Sequence, residues 1–433
     1  MCLNVRKRIR TSWRSPTSTT IAANVAILVG NGCTGILSAR ALGPAGRGQL
    51  ALVMLWSAVM TIAGSCGLQS SCAYYAARWP DRRAAILLWC GRVAALQTVA
   101  MTAVSAALMW WLHLRFAVGP ILAWEYSTWP AVATITLYGV CYAQGIRNFA
   151  RFNLLRISQG IIAGALMLVG VLAGRLTPAE AGAAYLIPAW STAVAVVIWL
   201  RRASHADANK PLTPYERHTM WSYGWRSLAS LTSLALNRNA DQLALGFLVS
   251  AGSLGIYNVA ESASGPLLDI VKSFGMVGLP AVAALSGGTK SSVTWQTLRR
   301  AFFLVALIAP LFAFSFPWAI RTVYGDGYSS AVMTAELLLA GTAFASLASV
   351  ADDLLRAHGR PGSVSLTEGI GGMVTILGVV ALKGHSLDAV ALVSLLGYVA
   401  AFSLAFIRLS LAARGPRAAP EQPRSLVIVR SGD

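Results

Sequence analysis

What most limits the fold of this chain is a repeated feature: apolar runs about as long as a membrane is thick recur from end to end. Twelve such runs fall near residues 18–40, 49–76, 86–112, 129–146, 157–175, 181–200, 224–248, 255–284, 301–319, 331–354, 364–382 and 389–412. A helix needs roughly 20 mostly apolar residues to cross the hydrocarbon core, and its backbone is satisfied from within as it does so. The rest of the composition agrees. Of 433 residues, 56% are hydrophobic and 12% charged, too few charges to cover a water-soluble surface. The expectation is an all-α polytopic membrane protein with about twelve transmembrane helices.

A formal charge of +19 raises the question of nucleic-acid binding, and the placement of the charges answers it. If the N-terminus is cytoplasmic, 28 of the 35 Lys and Arg fall at cytoplasmic ends of the spans or in the two tails. The remaining seven are Arg40, Arg47, Arg115, Arg175, Arg238, Arg321 and Lys383. Short connections biased this way set the orientation of a membrane protein. Both termini are therefore expected on the cytoplasmic side, with membrane lipids and no nucleic acid as partners.

Arg6–Arg10 followed by an apolar run resembles the start of a secretory signal, and Ala39-Arg40-Ala41 has the small-x-small form of a cleavage site. The site lies too far in, and Asn24 and Asn31 interrupt the run, so a retained first helix is expected. Six cysteines without a CxxC pair read as small buried residues, and five histidines lack ligand spacing, so no metal site is expected.

The longest polar connection, "LRRASHADANKPLTPYERHTMW" at 200–221, separates six spans from six. It divides the chain into an N-terminal lobe (1–200), a cytoplasmic linker (201–221), a C-terminal lobe (222–412) and a cytoplasmic tail (413–433). The halves echo one another at an offset of 206: Asn24 falls on Ser230, Asn31 on Asn237 and Ala45-Gly46 on Ala251-Gly252. One further inserted position brings Gly48 onto Gly255. Six spans return a chain to the side it started from, so the repeats are parallel and related by an axis along the membrane normal. Two such bundles can rock about a central cavity. "SARALGPAGRGQLALV" at 38–53 is then an outer turn, with Gly43-Pro44 ending the first span and Gly46 and Gly48 permitting the bend.

Two spans carry polar stripes. In the seventh, Ser227, Ser230, Ser233, Asn237 and Asp241 share one helical face of about 120° of arc, with Arg238 about 20° beyond it. In the first, Thr17, Thr20, Asn24, Asn31, Thr34 and Ser38 fall within about 100°. A central Arg or Asp facing lipid costs about 2.5 to 3.5 kcal/mol on insertion scales, so the stripes face protein or water. Serines and threonines there also serve as interhelical glue. Arg238 and Asp241, three residues apart, either neutralise one another or place the guanidinium against an anionic headgroup, whose oxygens its fork matches. The substrate-cavity candidates are Arg238, Asp241, Asn237, Ser233, Ser230, Asn24, Asn31 and, if the turn bends inward, Arg40. Asp241 and Glu261 are the candidates for ion coupling.

The stretches "ARALGPAGRGQLAL", "QGIRNFARFNLLR", "NADQLALGFLVSAGSLGIYNVAES", "GLPAVAAL", "YGDGYSSA" and "HGRPGSVSLTEGIGGMVTILG" follow one another over nearly the whole chain. In that order they resemble the polysaccharide and O-antigen flippases (Wzx-like) of the multidrug/oligosaccharidyl-lipid/polysaccharide exporter (MOP) superfamily. The resemblance implies a MATE-like, V-shaped pair of six-helix lobes around a cationic cavity. It further implies translocation of undecaprenyl-pyrophosphate-linked oligosaccharide from the cytoplasmic to the outer leaflet of a bacterial inner membrane, alongside polysaccharide polymerase and export proteins. Arg238 and Asp241 match the family's polar-then-"DQLLLG" segment. No cofactor is implied beyond proton or sodium coupling. No Walker A or GxSxG motif is present, so no enzyme is expected. A cation-coupled drug exporter of the same superfamily and a membrane glycan polymerase or ligase are the alternatives.

Overall fold

A computed structural model describes residues 16–174, 176–204, 211–283, 285, 287–382 and 386–414. The basic N-terminal segment, Arg175, Lys210, Lys383, His205, His385 and the tail beyond 414 lie outside these, as do the side chains of Thr17, Thr20 and Ser230.

Fourteen α-helices are described. In the N-terminal half they are α1 (Pro16–Gly64), α2 (Leu68–Arg78), α3 (Arg83–Phe116), α4 (Pro120–Ser127), α5 (Trp129–Gly145), α6 (Phe149–Leu172) and α7 (Pro178–Ser204). The C-terminal half holds α8 (Pro214–Leu248), α9 (Ala251–Ser264), α10 (Pro266–Ala283), α11 (Gly287–Ala319), α12 (Ala331–Ala357), α13 (Pro361–Leu382) and α14 (Leu387–Arg414). Eight segments are long and apolar enough to span a membrane by themselves. The stretch within α1 has 43 residues, about 65 Å of helix and enough for two passes.

The remaining passes are polar or broken. The seventh, α8, carries the stripe. The second ends α1 and restarts as α2 past Cys66 and Gly67, both left-handed at φ 47° and 67°. The fourth is split before Pro130 and the eighth at Gly265-Pro266, where proline supplies no amide hydrogen. Large apolar side chains such as Phe314, 90% exposed, cover the outward faces, as a lipid-embedded bundle requires.

The turn at 43–48 differs from expectation in one respect. Gly43 alone makes the bend, with φ 64° and ψ −179°, and Pro44 starts the next limb. Gly46 and Gly48 lie in the helix beyond the bend, where their missing side chains permit close packing. A Cβ on Gly48 would sit 1.6 Å from the Ala251 carbonyl oxygen, and one on Gly255 would sit 2.0 Å from that of Pro44. The two glycines that correspond in the repeat thus touch each other, backbone to backbone. Around them Tyr328 donates its hydroxyl to the Ala39 carbonyl at 3.1 Å, and Arg40 donates to the Thr322 carbonyl. One continuous apolar core, including Leu50, Tyr126, Leu254, Tyr257 and Leu338, runs through both lobes at this turn end.

At the opposite end, nearest the interlobe connection, α2 crosses α8. Gly67 lies against Gly224, Ser71 donates to the Met220 carbonyl at 2.8 Å, and Tyr74 stacks on Tyr223 at 4.7 Å. Thr213 and Glu216 form a capping box that starts α8, and Arg82 meets Glu216 at 3.5 Å. Among the described residues, α1 and α10 form no packed interface at this linker end; Val25, Val29, Asp269 and Ile270 stay exposed there. The lobes are joined along α1, α2, α8 and α9.

Two predictions follow from these contacts. Gly48→Ala should cost about 2 kcal/mol, the usual scale for overpacking, and loosen the turn-end contact. Gly91→Ala, where nothing lies within 4 Å of the added carbon, should do neither. Thermal unfolding in detergent reads the first effect; labelling of an Ala39→Cys reporter in a background cleared of the six native cysteines reads the second. His358, in the connection between α12 and α13, pairs through Nε2 with Thr294 Oγ1 at 3.1 Å. Burial, then the nearby Lys290 and Arg360, hold its imidazole below the ordinary 6.5. Such a group stabilises the fold above that value and withdraws its contribution as pH falls. Unfolding midpoints between pH 7.5 and 5.5 should therefore drop more for the native chain than for His358→Gln.

Candidate functional site

The stripe on α8 faces α13. Ser233 lies opposite Gly369, 3.8 Å from where that glycine would carry a Cβ, and donates to the Ala229 carbonyl. Asn237 is buried and donates from Nδ2 to Glu368 Oε2 at 2.5 Å. Gly371 and Gly372 leave the space it occupies: a Cβ on Gly371 would stand 2.8 Å from Asn237 Oδ1. Backbones can approach this closely only past glycine, and in lipid such packing, with interhelical hydrogen bonds, is what holds helices together.

Asp241 points the same way, into the C-terminal lobe. Its carboxylate accepts from the Tyr257 hydroxyl at 2.5 Å, the Ser394 hydroxyl at 2.9 Å and the Gln242 amide at 2.8 Å, joining α8, α9 and α14. Three donors on one buried carboxylate are the satisfaction such a group requires. Glu261 on α9 accepts from the Gln242 side chain. Asp352 accepts from Thr367 at 3.3 Å, and Asp353 binds Arg356 at 2.7 Å.

The first-span stripe repeats the device against α6. Gly30 packs on the Gly160 backbone, Asn31 Oδ1 lies 4.0 Å from the Cβ position of Gly160, and Thr34 lies 3.7 Å from that of Gly164. Thr34 donates to the Asn31 carbonyl and Ser38 to that of Thr34. Asn24 is half-buried with an unpaired Oδ1, and Asn31 is exposed.

Arg238 stands apart. It is half-buried and makes no hydrogen bond or ion pair with another described residue, Asp241 included. The residues in its electrostatic reach are Lys272 on α10, Asp353 and Tyr398. Lys272 has both Asp269 and Asp353 in reach, and Arg238 has Asp353, which is already bonded to Arg356. Burial is costly for a charge without a partner. No ion pair joins Lys272 to Asp269 among the described residues. Sequence reasoning missed Lys272, whose signal is its place on α10 within reach of Arg238, which only the fold reveals.

Arg40 is exposed and bonded to Thr322 across the seam. Arg47 is 8% exposed; its side chain folds back along α1, donates to Ser38 Oγ at 2.7 Å and approaches Gly35. It gives the N-terminal lobe a buried cation that the first span itself lacks.

The family model described as polysaccharide biosynthesis protein matches residues 19–286. No curated protein matches the sequence. Among solved structures, the chain is similar to the inward-facing form of a multidrug resistance MATE family transporter of the MOP superfamily. That match has a TM-score of 0.70 at 12% identity, covering 90% of this chain and 98% of the other. It is also similar to a MATE in complex with MaL6, with a TM-score of 0.63 at 13% identity over 93% and 98%. A MOP superfamily transporter from Pyrococcus furiosus with a binding pocket of reversed polarity matches at 0.61 and 12% identity, over 93% and 97%. The chain thus has a MATE-like fold, and it belongs to the polysaccharide biosynthesis protein family.

Proposed function

We propose that the protein is a flippase that carries a lipid-linked oligosaccharide, joined through pyrophosphate to undecaprenol, between leaflets by alternating access. The observation that carries this reading is Arg238, a half-buried guanidinium with no hydrogen bond or ion pair to another described residue, in reach of a second cation, Lys272 on α10. A pyrophosphate and several sugars cannot cross about 30 Å of hydrocarbon unaided. Fixed cations and amides can replace the headgroup's hydration while the polyprenyl chain stays in lipid. No bond need be broken.

Orientation follows from the basic residues: the linker end is cytoplasmic in this reading, as are both termini, and the membrane is a bacterial inner membrane. The lobes then span 1–200 and 222–412 about the 201–221 linker, with 413–433 as a tail. A polymerase and export proteins would take up the delivered units. Asp241 and Glu261 serve coupling rather than headgroup binding in this scheme. Each is a carboxylate held inside the C-terminal lobe between helices, where gain of a proton or sodium ion would change how α8, α9 and α14 pack.

Arg238→Ala should abolish surface glycan display without loss of the protein from the membrane, and Arg238→Lys should retain part of it. Lys272→Ala should lower display about tenfold, the scale of one charge-assisted contact. The readout is glycan on the cell surface against lipid-linked units trapped on the cytoplasmic leaflet. Normal display in Arg238→Ala would overturn the site. A deletion strain that still delivers units but becomes sensitive to cationic drugs would favour a drug exporter instead.

A further inference from the structure

The N-terminal lobe holds a cavity of about 630 Å³ that the foregoing scheme does not use. Helices α2, α3, α5 and α7 enclose it near the linker end. Leu88, Arg92, Ala95 and Val99, spaced 4, 3 and 4, lay one face of α3 along its wall, and Ile135 closes it from α5. From Arg92 to Val99 it runs about 10 Å along α3. Gly91 keeps the space open, with nothing within 4 Å of where its Cβ would stand. Leu88 and Val99 are 40% and 70% exposed, so the cavity opens on the lipid-facing side of the lobe.

Its chemistry is divided by depth. Beyond Arg92 the wall is apolar apart from Thr98, whose hydroxyl has no partner, and Tyr138, whose hydroxyl donates to Gln97 Oε1 at 3.0 Å. At the linker end stand Arg92 on α3 and Arg201 on α7, both exposed, and none of the described residues lining the cavity is acidic. Trp89 and Trp199 lie three and two residues from these arginines. Tryptophan collects at the membrane–water interface, which sets the arginines at headgroup level and the apolar part in the hydrocarbon. An apolar slot with a basic mouth suits a molecule with a hydrocarbon chain and a negative head, and basic recesses between spanning helices hold anionic lipid headgroups.

We propose that this cavity is a lipid site that takes one acyl chain of an anionic glycerophospholipid, with Arg92 and Arg201 on its phosphate. A guanidinium suits that role because its fork bonds two phosphate oxygens at once. A polyprenyl chain would also fill an apolar slot. Yet no lining residue comes from α1 or the C-terminal lobe, which carry the polar stripes and Arg238, so the cavity lies apart from the site assigned to the carried headgroup. Cys72, next to Ser71, brings α2 into the wall, and Ser71 donates to the Met220 carbonyl of α8. The occupant therefore supports the helix through which the N-terminal lobe meets α8. The site does not depend on the flippase reading.

The test is thermal unfolding of the full chain in detergent, titrated separately with phosphatidylglycerol, phosphatidylcholine and undecaprenyl phosphate. Phosphatidylglycerol should stabilise the native chain in a saturable way, with phosphatidylcholine about tenfold weaker. Arg92→Gln and Arg201→Gln should each weaken the phosphatidylglycerol response about fivefold, the scale of one basic residue at an anionic membrane surface. Gly91→Leu, which fills the cavity with a better helix former, should unfold no earlier than the native chain without lipid and should lose the response. Native mass spectrometry should accordingly count one phosphatidylglycerol fewer on Gly91→Leu than on the native chain. Arg238→Ala should respond as the native chain does, whether or not it translocates glycan. Equal responses to the two phospholipids, or an undiminished response in Gly91→Leu, overturn the site. A stronger response to undecaprenyl phosphate than to phosphatidylglycerol, lost in Gly91→Leu, gives the cavity to the polyprenyl chain and overturns it too.

Discussion

Two backbones meet at Gly48 and Gly255 more closely than any side chain would allow, and the rest of the turn end is arranged around that contact. In a two-fold arrangement, a position that touches its own counterpart lies on the axis. The repeat pairs these two glycines and the fold brings them together, so the pseudo-two-fold of the lobes passes through this point. The consequences spread outward. Gly43 must turn the chain sharply for the second limb of α1 to reach α9. Once it does, Tyr328 and Arg40 find carbonyls across the seam, and Arg47 is carried beneath it rather than into the headgroup layer.

Much of this architecture was legible because membrane thickness imposes a length on apolar runs. The all-α membrane architecture expected from the runs is what the fold shows, with eight segments long and apolar enough to span a membrane. The breaks were harder to see. Cys66-Gly67 and Gly265-Pro266 break the passes through left-handed backbone dihedrals and a missing amide hydrogen, which a search for apolar runs does not register. The turn glycines were legible as a turn but not in their roles: one bends and two pack.

The site was legible in kind and less so in direction. Helical spacing put Asn237 and Asp241 on one face, but a stripe does not say which neighbour it meets. That neighbour is α13 with its glycines for Asn237, and Tyr257 and Ser394 for Asp241. Arg238, barely 20° beyond the stripe in the helical projection, escapes this packing altogether. A long basic side chain at the end of a helix usually snorkels outward, and that of Arg47 does not. Here Gly35 leaves room along α1 and Ser38 offers an oxygen, so it runs the other way.

The charges sort themselves by sign in a manner that bears on mechanism. In the C-terminal lobe neutral donors engage Asp241 (two hydroxyls and an amide), Glu368 (Asn237), Glu261 (Gln242) and Asp352 (Thr367), while Asp353 pairs with Arg356. Two cations are not so engaged; Arg238 has no partner among the described residues, and Arg47 has a single neutral one. Had the acids faced the cations, each would have been neutralised at short range, and an arriving anion would have had to displace a carboxylate in a low-dielectric setting. Holding the acids by neutral donors leaves the positive field unspent. The two cations also differ in what surrounds them. Arg238 is half-buried and in reach of Lys272 on α10, whereas Arg47 is buried and held along α1 by Ser38.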